Sequence, residues 1–173
     1  MTIETPRLIL REMTPGDFAP LHEIFSDPGT MAHYPAPFTE EKTRRWIEWN
    51  RENYARYGFG LWAVTLKDAG ACIGDCGITM QNIHGQLLPE IGYHIHKAHQ
   101  RNGYATEAAA ACIRLAFERF GFPAVYSYMK YTNVASHSTA LKNGMRLVEE
   151  FPDPVNTFTR VCRITRDEWL RRP

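Results

Sequence analysis

Between residues 99 and 107 the chain reads His99-Gln100-Arg101-Asn102-Gly103-Tyr104-Ala105-Thr106-Glu107, a cationic corner with a glycine near its middle. Glu90 to Ile95 before it reads as a strand, and Ala105, Ala108, Ala109, Cys112, Leu115 and Ala116 after it recur at helical spacing. The corner therefore joins β to α. The first amides of a helix have no partner inside it and lie at the positive end of its dipole, so an anion such as a pyrophosphate suits that place. Gly103 lets backbone approach the anion with no Cβ in the way, Arg101 adds fixed charge, and Thr106 offers a hydroxyl in the first turn. An ordinary strand-to-helix loop has the same look in isolation. Two nucleotide motifs are missing: no Gly-Lys-Ser/Thr opens the helix, and no three-glycine fingerprint with a later acidic residue is present.

A second group lies on the strand ahead of the corner. Alternation puts Glu90, Gly92, His94 and His96 on one face and Ile91, Tyr93 and Ile95 on the other. Glu90 and His94 are candidates for moving a proton, with Gly92 leaving room between them; a solvated strand start and a core histidine are the bland alternatives. Two histidines on one face, with His99 nearby, also raise a metal site. That reading is disfavoured, because no aspartate or cysteine completes the set and Lys97 would repel a cation. No metal is expected.

Gln100-Arg101-Asn102-Gly103-Tyr104-Ala105 resembles the Q/R-x-x-G-x-G/A signature of the GNAT superfamily of acetyl-coenzyme A-dependent N-acetyltransferases. Asn133 to Met145, with Asn133, Ser136, Lys142 and Gly144, resembles the N-x-x-S...K-x-G-F/M segment of the branch that acetylates N termini of ribosomal proteins, the RimJ/RimL-like branch. The opening Thr5-Pro6-Arg7-Leu8-Ile9-Leu10-Arg11 and the closing Arg163-Ile164-Thr165-Arg166-Asp167-Glu168-Trp169 are similar to the same branch. The resemblance spans nearly the whole chain.

It implies acetyl-coenzyme A as cosubstrate, its pyrophosphate on Gln100, Arg101, Asn102, Gly103, Tyr104, Ala105 and Thr106, and its pantetheine arm on the backbone of His94, Ile95 and His96. Asn133 would hydrogen-bond the arm, and Ser136 would either donate to the departing thiolate or order a water. Many family members carry a tyrosine on the helix after the crossover strand; here that position holds Ala140. The expected catalytic residues are thus Glu90, His94 and Ser136, and the expected pocket residues are Tyr34, Trp46, Trp62 and His84. The acceptor is a primary amine, either a protein N terminus or a small molecule. A coenzyme A-sensing module without turnover is the rival that the missing tyrosine favours.

The elements follow from periodicity and punctuation. Thr5 to Glu12 reads as a first strand, and Thr14-Pro15-Gly16-Asp17 opens a helix that ends near Pro28-Gly29. A loop from Met31 to Phe38 precedes a second helix, capped by Thr39 and stopped by Gly58. Gly60 to Leu66 and Cys72 to Met80 form a hairpin about Lys67-Asp68-Ala69-Gly70, and Gln81 to Pro89 reads as a loop. After the Gly103 helix come a strand from Ala124 to Tyr131, a short helix from Asn133 to Gly144, and a closing pair, Met145 to Phe151 and Phe158 to Arg166.

This order is an α/β chain with a mixed sheet and helices on both sides; the resemblance makes the sheet mostly antiparallel, splayed between two parallel strands, the Glu90 and Ala124 strands. With 173 residues the chain has room for one domain, spanning 1–173. Twenty Lys+Arg balance 19 Asp+Glu without clustering, which argues against nucleic acid or an anionic membrane as a partner. No signal segment or bilayer-length apolar run is seen, so a soluble cytoplasmic protein is expected. Cys72, Cys76, Cys112 and Cys162 are expected as reduced thiols, and the pattern leaves monomer and homodimer both open.

Overall fold

The computed structural model describes residues 1–172. One eight-stranded sheet forms the centre: β1 (Thr2–Glu4), β2 (Leu8–Arg11), β3 (Leu61–Leu66), β4 (Cys72–Ile83), β5 (Gln86–Ile95), β6 (Ala124–Lys130), β7 (Arg146–Asp153) and β8 (Thr157–Thr165), in the order β1-β2-β3-β4-β5-β6-β8-β7. Helices α1 (Phe18–Ser26) and α2 (Glu40–Tyr57) lie between β2 and β3 in sequence, α3 (Tyr104–Glu118) between β5 and β6, α4 (Val134–Lys142) between β6 and β7, and α5 (Arg166–Leu170) at the end. All neighbouring strands run antiparallel except β5 and β6, which are parallel and share a single bridging pair, Glu90 with Tyr126. Beyond that pair the two strands part.

Two apolar clusters sandwich the sheet. Ala108, Cys112, Ile113, Ala116 and Phe117 of α3 pack on Leu8, Leu10, Trp62, Cys76, Ile78 and Ile91. Leu21, Ile24 and Phe25 of α1 and Ile47 of α2 pack with Leu61 and Ala63 of the same β3 strand. The alternation of side chains along β3 thus feeds both layers. Helix ends follow the sequence signals: Thr39 Oγ1 accepts the Lys42 amide (3.2 Å), and Gly58 closes α2 in the left-handed region at φ 76°.

Two sequence expectations need correction. The first strand, expected from Thr5 to Glu12, is confined to Leu8–Arg11 and pairs with a further strand ahead of it, Thr2–Glu4, because Thr5-Pro6-Arg7 turns the chain and the Thr5 amide donates to the Leu8 carbonyl (3.0 Å). The stretch from Gln81 to Pro89 is not a loop but the far half of the β4–β5 hairpin, with Ile83 opposite Gln86 and Met80 opposite Pro89. His84 (φ 51°) and Gly85 (φ 78°) form a two-residue turn with both residues left-handed. Pro89 misled because proline cannot donate to a ladder; strand parity turns its nitrogen away from β4, toward β6, with which β5 shares only the Glu90–Tyr126 bridge.

Gly74 shows how tightly β4 and β5 approach each other. A Cβ built there would sit 2.0 Å from the His94 carbonyl oxygen, so no larger residue fits without a backbone shift. We expect Gly74→Ala to destabilise the protein by about 1–3 kcal/mol, read from the urea midpoint; an unchanged midpoint would mean the two strands can move apart freely.

Candidate active site

The gap between β5 and β6 opens into a cleft of about 970 Å³ that runs from the Arg101–Thr106 corner past β5 to Glu90 and Tyr34. Strand parity decides what β5 shows it. The His96 amide donates to the Ile73 carbonyl (2.8 Å) and the His94 amide to Asp75 Oδ1 (3.1 Å), so both point to β4. The intervening amides of Tyr93 and Ile95 therefore face the gap. Of the three residues expected to offer backbone to a pantetheine arm, only Ile95 lies on that edge, joined by Tyr93.

The corner is built from strained and unpartnered backbone. Arg101 (φ 62°) and Gly103 (φ 81°) are both left-handed, and only for Gly103 is this free of steric penalty. Among the described residues, the six consecutive amides from Arg101 to Thr106 donate to no acceptor. Gln100 reaches back with Nε2 to the Ile95 carbonyl (2.9 Å), tying the corner to β5. Gln100, Arg101, Gly103, Tyr104, Ala105 and Thr106 line the cleft. Asn102 does not; its side chain caps the His99 and Gln100 carbonyls.

What braces this corner comes from the far end of the sequence. Glu107 Oε1 accepts from Thr5 Oγ1 (2.6 Å) and the Arg7 amide (2.8 Å), and its Oε2 accepts from Arg7 Nε (2.6 Å). Arg7 Nη1 then donates to the Asn102 carbonyl (2.9 Å), and its guanidinium lies over the Tyr104 ring. Neither Arg7 nor Glu107 was singled out as a site residue from sequence, although both lie inside motif segments; a contact across 100 residues leaves no local signal.

On the α1–α2 side of β5, Glu90 lies deep in the cleft, with part of its surface still open to it. Burial pushes its carboxyl up to about 7, against hydrogen bonding from Thr79, the Tyr128 backbone and Gln81 and the influence of His94, all of which pull it down. Thr79 Oγ1 donates to Glu90 Oε2 at 3.2 Å. His94 is buried, with Nδ1 2.7 Å from Asp75 Oδ1 and Nε2 2.6 Å from the Tyr34 hydroxyl. Trp46 donates Nε1 to the other oxygen of Asp75 (2.9 Å). Glu90, His94, Tyr34 and Trp46 all line the cleft.

On the α3–α4 side, Asn133 caps α4 by accepting the Ser136 amide (3.1 Å), and both residues line the cleft. The Tyr93 hydroxyl donates to the Ser136 carbonyl (3.0 Å) and lies 3.1 Å from Ser136 Oγ. Burial drives this phenol up to about 12. Tyr93 thus brings a phenolic hydroxyl to the cleft beside Ser136, whereas Ala140 is buried in the core cluster and does not line the cleft.

Three expected residues lie elsewhere. Trp62 has no accessible surface and packs in the core cluster shared with α3, because parity on β3 turns it to the opposite layer from Leu61 and Ala63. His84 sits at the β4–β5 hairpin tip, 3.0 Å from Glu149 and stacked on Phe151 with ring centres 4.2 Å apart. His96 caps a short turn and meets Glu23 of α1 at 3.2 Å, away from His94. Among the described residues, no group of three or more His, Cys, Asp or Glu could hold a metal ion, and no helix is long and apolar enough to cross a membrane.

Residues 7–146 match the family described as the acetyltransferase (GNAT) domain. YkkB of Bacillus subtilis (strain 168) is 36% identical over 160 residues, covering 90% of this chain and 93% of that protein. A GNAT-family acetyltransferase from Bacillus anthracis superposes with a TM-score of 0.83 at 25% identity, covering 96% and 99% of the two chains. RimL, a ribosomal L7/L12 alpha-N-protein acetyltransferase solved in complex with coenzyme A, shares the fold with a TM-score of 0.81 at 15% identity, covering 97% and 99%.

The Glu107 brace has a pH signature. Burial opposes its ionisation, but the bonds from Thr5 and from the Arg7 amide and guanidinium outweigh that and hold the carboxyl below its usual 4.5. A depressed carboxyl stabilises above its unfolded value and loses that contribution as pH falls through the folded one. Glu107→Gln should therefore lower stability at pH 7 by about 1.5–3 kcal/mol, and the gap to the wild type should shrink below about pH 4.5. Urea titrations at both pH values measure it; equal stability at pH 7 would show the brace to be dispensable.

Proposed function

This chain belongs to the GNAT acetyltransferase family, and on that footing we propose that it acetylates a primary amine by direct attack on the thioester of acetyl-coenzyme A, without a covalent enzyme intermediate. The observation that carries the reading is the continuous path from six unpartnered amides at the start of α3, along the free edge of β5, to Glu90. Bound there, acetyl-coenzyme A supplies an acyl group already activated as a thioester.

The residues present fit that guest. The amides from Arg101 to Thr106 suit a pyrophosphate, since each carries a donor otherwise unmet. The gap-facing amides of Tyr93 and Ile95 suit an amide-bearing arm laid down as an added strand. Asn133 and Ser136 flank the arm at its far end, where Ser136, in contact with Tyr93, can supply or relay a proton to the departing sulfur. Glu90 on the opposite face receives a proton from the incoming ammonium, and its raised value near 7 keeps it basic at neutral pH while letting it release the proton again. Gly92 leaves space for the nitrogen between Glu90 and His94.

That match in basicity also bears on the acceptor. A protein N terminus, with a reference pKa of about 7.7–8.0, lies much closer to Glu90 than a lysine amine at about 10.4. A protein N terminus or a weakly basic small amine is therefore favoured over a lysine side chain. The relative named for acetylating the L7/L12 N terminus shares this fold, which is consistent with the first. The protein is proposed to work in the cytoplasm, as a single domain.

The rival is a coenzyme A-sensing module, suggested by Ala140, yet Tyr93 at Ser136 supplies the hydroxyl whose loss motivated it. Thiol release from acetyl-coenzyme A, measured over N-terminal peptides, small amines and lysine analogues, separates the two. Acceptor-dependent release is expected, and thermal stabilisation by acetyl-coenzyme A with no release on any amine would favour the sensor. In the wild type, kcat should rise with pH through about 7 as Glu90 ionises. Glu90→Gln should lower kcat by about a hundredfold, leave acetyl-coenzyme A binding intact and abolish that rise; an unaltered profile removes Glu90 from the mechanism.

A further inference from the structure

Asp75 of β4 has no accessible surface, yet its carboxylate sits one residue away from the acceptor pocket. Two obligate donors fix how it bonds. The Trp46 indole N–H occupies Oδ2 (2.9 Å) and the His94 backbone N–H occupies Oδ1 (3.1 Å). The third contact, His94 Nδ1 on Oδ1 at 2.7 Å, is then a donated hydrogen bond as well, which places the imidazole proton on Nδ1. Nε2 is left with its lone pair, and the Tyr34 hydroxyl at 2.6 Å must donate to it. Tyr34 in turn presents the lone pairs of its oxygen to the cleft it lines with Glu90, Thr79 and Tyr128.

We infer that Asp75, His94 and Tyr34 form a second proton path into the acceptor pocket, in which Tyr34 meets the substrate nitrogen, His94 stores the proton and Asp75 is the positioning residue. The inference rests on the amine-acetylation reading above. An ammonium that ends as an amide nitrogen sheds two protons, and Glu90 accounts for one. The second passes from nitrogen to the Tyr34 oxygen while the Tyr34 hydroxyl proton moves to His94 Nε2, and the N–H bonding pair stays on nitrogen. Tyr34 ends neutral and His94 ends as an imidazolium against Asp75. One of the two protons is delivered to the departing sulfur and the other to water in the cleft, which returns both bases to their starting forms.

The surroundings suit that storage. His94 bonds to Asp75 from β4 and Tyr34 from the loop before α2 and feels Glu90 from its own strand, and among the described residues no cation bonds to any of the four. Phe25 of α1 and Trp46 of α2 close over the imidazole edge-on, with ring centres at 5.1 and 6.0 Å, and shield it from bulk water. Gly74, next to Asp75, permits the close approach of β4 that brings the carboxylate under His94.

The test combines nitrogen NMR of the full chain labelled at histidine with kinetics on an acceptor from the thiol-release screen. At neutral pH the His94 signals should show the proton on Nδ1, and Tyr34→Phe should shift Nε2 alone as it loses its donor. Tyr34→Phe and Asp75→Asn should each lower kcat by about a hundredfold, with KM for acetyl-coenzyme A held within about twofold. Because the two act on one path, the double variant should be no slower than the slower single, whereas Tyr34→Phe combined with Glu90→Gln should be slower than either. A wild-type proton on Nε2, either single variant at wild-type kcat, or losses that simply multiply in the Tyr34–Asp75 pair would overturn the path. The NMR arm needs no acceptor, so a protein inert on every amine would refute the acetyltransfer reading while the wiring of His94 was still decided.

Discussion

Two parallel strands that share a single bridging pair are the constraint from which the rest of this molecule follows. Backbone amides cannot be buried unpaired without loss of stability, and the divergence of β5 from β6 after Glu90 leaves the edge of β5 without a strand partner. The protein answers by keeping that edge on an open cleft and by ending it at a corner whose own amides are unpaired. An extended, amide-bearing ligand with phosphates at one end satisfies both needs at once. The strain of a left-handed Arg101 and the long-range brace from Arg7 and Glu107 make sense as the means of holding such a corner in shape.

The same strand divides the chemistry between its two faces. Ile91, Tyr93 and Ile95 turn toward α3 and α4, where Ser136 and the Arg101–Thr106 corner lie; Glu90, Gly92 and His94 turn toward α1, α2 and the loop carrying Tyr34. In the proposed reaction a two-residue period thereby separates donor from acceptor across the thickness of one strand. It also explains why β4 matters: with Gly74 beside it, Asp75 can pass under His94 and engage Trp46, joining a strand, a helix and a loop through one carboxylate.

Much of this was legible in the sequence because it was local. The corner, its helix, the cap at Asn133 and the alternation on β5 are written within a few residues of one another, and each lies where its signals pointed. What was not legible depended on distance. Trp62 looked like a pocket aromatic until strand parity buried it in the other layer, and His84 read as a loop residue until Ile83 and Gln86 closed a hairpin across it. Asp75 carried no motif at all; only the pairing of β4 with β5 brings it to His94, and Tyr93 reaches Ser136 only because α4 packs against α3, β6 and β8 beside the strand.

The claim that a ligand's backbone completes this sheet can be tested on the amides themselves. Amide hydrogen exchange of the full chain, with and without free coenzyme A, reports each donor separately. The account requires new protection at Arg101 to Thr106 together with Tyr93 and Ile95, while the His94 and His96 amides, already bonded toward β4, change little. Binding that leaves the Tyr93 and Ile95 amides exchanging as before, or that protects His94 and His96 in their place, would contradict it.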